Sequence, residues 1–134
     1  MKRYLSIDYG KKRIGLAISE AGLIARPLRT IENKGAKKNL AALGEIIKQN
    51  RIDIIVVGLP EHKNRAMADE IRAFAETLKV LGAKLDFQNE AFTSIAAEEY
   101  IRDTLGILDH KKVAQLVDSA AATMILNEYL ERRK

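Results

Sequence analysis

Four β-branched residues in a row, Ile54-Ile55-Val56-Val57, end at Gly58. A short continuous apolar run of this kind fits a strand covered on both faces, as in a parallel sheet. A strand covered above and below needs helices on either side. The sequence supplies them. From Lys37 to Asn50, Leu40, Leu43, Ile46 and Ile47 fall at helical spacing. From Met67, the residues Ile71, Phe74, Leu78 and Leu81 mark one face of a second helix, with Gly82 placed to end it.

The remaining elements follow from alternation. Tyr4 to Asp8 and Ile14 to Ser19 read as two strands joined by a tight turn. A third strand is expected between Leu23 and Ile31, interrupted near Pro27, which suits a sheet edge. Asn33-Lys34-Gly35 and Glu61 to Arg65 read as loops. Leu85 and Phe87 alternate with polar residues in a strand that ends near Glu90. Thr93 or Ser94 can cap a helix carrying Ala97, Tyr100, Ile101 and Leu105. Gly106 to Lys111 reads as a loop, and a last helix is expected from about Lys112 to Arg132. The order β-β-β-α-β-α-β-α-α gives an α/β fold. Its leading strands should be antiparallel, and its later strands, reached by helical crossovers, parallel to the first. We expect one mixed sheet with helices on both faces and a single domain over residues 1–134, because no long linker interrupts the pattern.

Charge bears on the partner. Lys plus Arg number 23 against 18 for Asp plus Glu, a net charge of +5. That balance favours a polyanion, nucleic acid first, although many small proteins are mildly basic without binding one. The absence of cysteine excludes disulfides and thiolate metal sites. Without a signal-like opening or a long apolar run, the expectation is a cytoplasmic protein with no membrane contact. Nothing in the sequence sets an oligomeric state.

Three acids stand out by position. Asp8 closes the first strand and Glu90 the last, and ligands of open α/β sheets gather at the carboxyl ends of parallel strands. Asp118 lies inside the last helix among Ala114, Ala121 and Ala122, small residues that let a helix approach a sheet closely. An acid on that face needs a partner. Convergent carboxylates would suit an oxygen-preferring divalent cation such as Mg²⁺ or Mn²⁺. Each acid alone has a plainer reading: Asp8-Tyr9-Gly10 as a hairpin turn, Glu90 as an acid near a helix cap, Asp118 as the partner of Lys111, Lys112 or another cation.

Here the chain resembles a known family. Asp8, Gly10, Lys12, Arg13, Ile14, Gly15 and Ala17 are similar to the opening motif of the YqgF family of RNase H-like nucleases. Val56-Val57-Gly58-Leu59-Pro60 resembles its second block. Asn89-Glu90 with Phe92-Thr93-Ser94 and Ala96 resembles the third. Asp118-Ser119-Ala120-Ala121-Ala122, Ile125-Leu126 and Tyr129-Leu130 resemble the fourth. The resemblance implies an RNase H-like, five-stranded mixed sheet. It also implies a role in maturing the 5′ end of the 16S ribosomal RNA precursor, with resolution of Holliday junctions as an older proposal. Two stretches depart from the pattern. Asn89-Glu90-Ala91 stands where the family has Asp-Glu-Arg, and Glu61-His62-Lys63-Asn64-Arg65 replaces a glycine-containing loop.

On that resemblance Asp8, Glu90 and Asp118 are the expected catalytic and metal-holding residues, with Asp8 bridging two ions. Lys11, Lys12, Arg13, Lys63, Arg65, Lys111 and Lys112 are expected to rim the same cavity and hold phosphates. Gly10 and Gly15 would let the backbone pass close to metal or substrate. His62 reads as surface, and His110, placed in the loop before the last helix, as solvated. Structured RNA, precursor ribosomal RNA or its particle, is the expected partner. Branched DNA is the alternative, and an inactive ribosome-assembly module the third reading. An actin-type ATPase needs a second domain that this chain is too short to hold, and no Walker A motif is present.

Overall fold

The computed structural model describes residues 1–61, 64–90, 94–104 and 106–133; at residues 94, 95, 110, 111 and 113–115 it describes the backbone alone. Expectations at His62, Lys63, Phe92, Thr93 and Leu105 therefore lie outside the described residues.

Three strands come first: β1 (Tyr4–Tyr9), β2 (Arg13–Ser19) and β3 (Arg26–Glu32). Then follow α1 (Ala36–Gln49), β4 (Ile54–Leu59), α2 (Arg65–Leu78), β5 (Lys84–Asn89), α3 (Ser94–Asp103) and α4 (His110–Arg132). The sheet order is β3-β2-β1-β4-β5. β2 is antiparallel to both β1 and β3, whereas β1–β4 and β4–β5 are parallel. The expected mixed sheet is the one observed, and the Ile54 run lies inside it with every residue of β4 buried.

Alternation along the strands divides the core in two. One face carries Leu5, Ile7, Ile14, Leu16, Ile18, Ile55, Val57 and Leu59 against Leu43, Ile46 and Ile47 of α1 and Ile71, Phe74 and Leu78 of α2. The other carries Tyr4, Ile54 and Val56 against Ile125, Leu126, Tyr129 and Leu130 of α4. Even-numbered β1 residues thus face α4, and Asp8 shares that parity with Tyr4 and Ser6. The Ser6 hydroxyl donates to the Ala122 carbonyl at 2.6 Å, pinning α4 to the central strand. Farther along, the Tyr129 hydroxyl donates to Asp86 Oδ2 at 2.7 Å and ties α4 to the edge strand β5.

Several boundaries differ from the sequence reading: β1 runs on to Tyr9, β2 starts at Arg13, and α2 stops at Leu78, leaving Leu81 in a 3₁₀ turn before Gly82. Three others differ for a clear local reason. β3 begins at Arg26, not Leu23. Gly22 turns the chain at φ +75°, Leu23 and Ile24 are left exposed, and the Ala25 N–H donates to Asn127 Oδ1 instead of a strand partner. β3 is an edge strand, as Pro27 suggests, and its register with β2 slips between Leu16 and Ala17, beside that proline. Helix α2 already includes Arg65, because Asn64 caps it by accepting the Met67 N–H at 3.0 Å. Helix α4 starts at His110 rather than Lys112, because Asp109 Oδ1 accepts the Lys112 N–H at 3.2 Å. His110 is therefore the first residue of a helix and not part of a loop.

Candidate metal and phosphate site

Asp8 is the second-last residue of β1 and is half-buried. Glycines flank it on both sides. Gly15 of β2 is its direct antiparallel partner, and on β4 Gly58 follows Val57 as Asp8 follows the paired Ile7. Residues in these positions share a face with Asp8, so the glycines remove the side chains that would crowd it. The space is filled by chain. A methyl group on Gly15 would lie 2.0 Å from the Asp118 carbonyl oxygen and 2.9 Å from the Ser119 nitrogen. The backbone of α4 therefore sits in the notch over β2 and brings Asp118 beside Asp8. A methyl group on Gly58 would meet Ile125 Cδ1 at 2.5 Å and Glu90 Oε1 at 3.1 Å. Glu90 follows β5, with its N–H donated to the Leu59 carbonyl at 2.9 Å, and its carboxylate lies over Gly58. Gly10 serves the turn itself: a methyl group there would be 2.5 Å from the Arg13 carbonyl oxygen. Both glycines expected to face metal or substrate instead accommodate the chain's own backbone.

The acids therefore interact. Asp8 is pushed well above the ordinary carboxylate range, first by burial, then by the charge of Glu90, by a hydrogen bond to the Glu90 side chain, and by the charge of Asp118. These causes favour the protonated form of Asp8. Asp118 has a different partner: Arg13 Nε donates to Asp118 Oδ2 at 2.8 Å. Arg13 shares the α4-facing parity of Gly15 and Ala17 on β2, which is why it meets α4 there. The plainer reading, in which Asp118 pairs with another cation of the chain, is thus met by an arginine on the first hairpin. Glu128, one helical turn beyond Ile125, is an acid that the sequence reading missed. Burial and then the charge of Glu90 push its carboxyl up. Its spacing of three from Ile125 is the signal that placed it on the sheet-facing side.

The donor set suits a hard divalent cation at Asp8 and Glu90. Two carboxyl groups placed this close together offer oxygens that a cation would take in place of a proton. Among the described residues no three acidic or histidine side chains already form a ligand shell. Asp118 would have to leave Arg13 to join one.

The basic residues are spread around the carboxyl edge of the sheet. Lys11 lines a hollow with Asn64, Met67 and Glu70 at the start of α2, on the face away from α4. Arg65 lines a second hollow with Glu61, Ala68 and Arg72, where Arg72 pairs with Glu61. Lys12 is exposed at the turn and Lys112 in the first turn of α4. Lys63 and the side chain of Lys111 are outside the described residues. The turn is anchored by a network that the sequence reading passed over as loop. Asn33 donates its N–H to the Lys12 carbonyl at 2.9 Å and its Nδ2 to the Gly10 carbonyl at 2.8 Å, and its Oδ1 accepts from the buried Asn39 at 2.8 Å.

Comparison with known proteins agrees with this architecture. A family model described as "RuvX: Holliday junction resolvase" matches residues 2–132. A Koribacter versatilis protein named "Putative pre-16S rRNA nuclease" is 38% identical over 136 residues, covering 98% of this chain and 88% of its own. A Fusobacterium nucleatum protein of the same name is 34% identical over 142 residues and spans both chains fully. Among solved structures, Thermus thermophilus RuvC in complex with a Holliday junction substrate matches with a TM-score of 0.61 at 20% identity, covering 99% of this chain and 96% of that one. The Fowlpox virus resolvase bound to junction DNA matches with a TM-score of 0.65 at 15% identity, covering 98% of each chain. At such identities the two structures speak for the fold: a RuvC-like, RNase H-like sheet. With a family model spanning residues 2–132 and relatives aligned over nearly their whole length, the chain belongs to the RuvX family, also written YqgF.

Proposed function

We propose that this protein is a metal-dependent endonuclease that hydrolyses phosphodiester bonds at the 5′ end of the 16S ribosomal RNA precursor, in the cytoplasm. The observation that carries the reading is the carboxyl pair of Asp8 and Glu90 at the carboxyl edge of the sheet, within the field of Asp118. Relatives named as pre-16S rRNA nucleases supply the substrate class. Among the described residues no helix is long and apolar enough to cross a membrane.

Mg²⁺ or Mn²⁺, when bound, supplies an activated water and stabilises charge on the leaving oxygen. Asp8, the most central acid, would hold the cation in its deprotonated form, and Glu90 and Asp118 would help to hold it. Lys12 and Arg13 orient phosphates on the α4 side of the turn, and Lys11, Lys63, Arg65, Lys111 and Lys112 extend the positive rim. Asn89 and Ala91, where the resemblance leads one to expect an acid and an arginine, leave fewer groups to position substrate. Positioning carries much of such a reaction. Naked RNA should therefore be cut slowly, and RNA presented on a precursor particle faster.

The test uses end-labelled precursor RNA, naked and in assembled particles, with Mg²⁺, Mn²⁺ or EDTA. Cation-dependent cleavage that is faster on particles and absent from Asp8→Asn is expected. Equal signals from wild type, Asp8→Asn and the EDTA lanes would remove the enzymatic reading and leave an assembly module. A four-way DNA junction belongs in the same experiment, because the family description names a Holliday junction resolvase and both structural matches hold a Holliday junction substrate. Faster cutting of the junction than of the RNA would replace the RNA substrate with branched DNA.

A further inference from the structure

We propose that Arg13 is a switchable counter-ion that couples the two ligands of the site, a divalent cation at Asp118 and a nucleic-acid phosphate at the hairpin rim. The inference deepens the nuclease reading and rests on it. Its basis is the pairing of Arg13 Nε with Asp118 Oδ2 at 2.8 Å, between a side chain 59% exposed and one 25% exposed. A pair this open to water is held weakly and is readily exchanged. Both halves have a better partner available. Asp118 stands beside the Asp8–Glu90 pair, where its charge is felt at Asp8. Arg13 sits at the start of β2, next to the exposed Lys12, and its fork of donors matches a phosphate.

The competition works both ways. A cation taken up by Asp118 frees the guanidinium for phosphate. A phosphate that captures the guanidinium frees Asp118 for the cation. Each ligand removes the other's competitor, so each raises the other's affinity by the same factor. Without nucleic acid Arg13 holds Asp118 away from the cation, and the site resists loading until substrate arrives. The fixed position of α4 at Gly15 keeps the Asp118 backbone in place during the exchange, so only side chains need to move.

The experiment measures Mn²⁺ binding by electron paramagnetic resonance for the full chain, without nucleic acid, in a double-mutant cycle of Arg13→Gln, Asp118→Asn and both together. Lys12→Gln serves as a control for general charge. Arg13→Gln should bind Mn²⁺ about two- to fivefold tighter than wild type, the range expected for releasing an exposed ion pair. The same change on the Asp118→Asn background should have no effect. Arg13→Lys should lie between Arg13→Gln and wild type. In parallel, anisotropy of a labelled, cleavage-resistant RNA with and without Mn²⁺ should show coupling in wild type that shrinks in Arg13→Gln. Thermal melts of every variant check folding. If Arg13→Gln and Lys12→Gln tighten Mn²⁺ equally, or Arg13→Gln acts equally with and without Asp118, the counter-ion role is refuted while the nuclease reading stands. If wild type binds no Mn²⁺ even with RNA present, the nuclease reading fails and the coupling with it.

Discussion

Asp8 is held where its charge is unwelcome in the absence of a cation. Its raised folded-state pKa means that the folded chain keeps this proton when the unfolded chain has lost it. As pH rises from about 4, the unfolded chain ionises first, so folding stability falls until the folded-state value is passed. Asp8→Asn has no proton to lose and little change in volume. In EDTA its melting temperature should therefore exceed that of wild type by several degrees at about pH 8, and the gap should close towards pH 4. Adding Mg²⁺ should stabilise wild type and leave Asp8→Asn unmoved. The same variant should lose activity by about a hundredfold or more, because several kcal/mol of charge stabilisation leave with the ligand. A wild type whose melting temperature in EDTA is independent of pH relative to Asp8→Asn would show that the acids do not interact. The positions of Asp8, Glu90 and Asp118 at one end of the fold were legible in the sequence, since strand ends and element order are written in period-two and period-3.6 patterns. The Arg13–Asp118 pair was not, because which of many cations meets an acid depends on strand parity and on the crossing point of a distant helix.

At the level of elements, the seating of α4 against β2 decides whether there is a site at all. Gly15 and Gly58 both admit α4, but against different opponents. A methyl group at Gly15 meets backbone at 2.0 Å, which can yield only if the helix moves. A methyl group at Gly58 meets the end of the Ile125 side chain at 2.5 Å, which can rotate away. In urea unfolding, Gly15→Ala should therefore cost about 3 kcal/mol and Gly58→Ala about 1 kcal/mol, the two ends of the usual range for overpacking. Equal losses would mean that α4 is not fixed at Asp118. The sequence shows two glycines in strands, which signals close approach, but not what approaches. It likewise hid the start of α4, although Asp109, three residues before Lys112, is a cap that could have been read.

Across the whole molecule, positive charge lies on both sides of the acidic centre: Arg13 and Lys112 with α4, and Lys11 and Arg65 with α2. A polyanion crossing the carboxyl edge of the sheet would meet both groups. RNA affinity should fall steeply with salt, and Lys11→Gln with Lys12→Gln should reduce the log–log slope by about 1 to 2, one contact per lysine. A slope unchanged by the pair would make this turn a solvated one. The sheet topology itself was accessible from the order of elements, because crossover rules leave few alternatives. The division of the basic residues between two layers was not, since it depends on which way each loop turns after its strand.

Asp8 and Asp118 stand 110 positions apart, and α4 is made after every strand of the sheet that it covers. Until it emerges, the nascent sheet exposes Tyr4, Ile54 and Val56 and lacks one of its three acids. While α4 is missing, the acid set proposed to cut RNA is incomplete, so the order of synthesis itself delays the site. A product broken off before Asp118 would lack that set and be aggregation-prone.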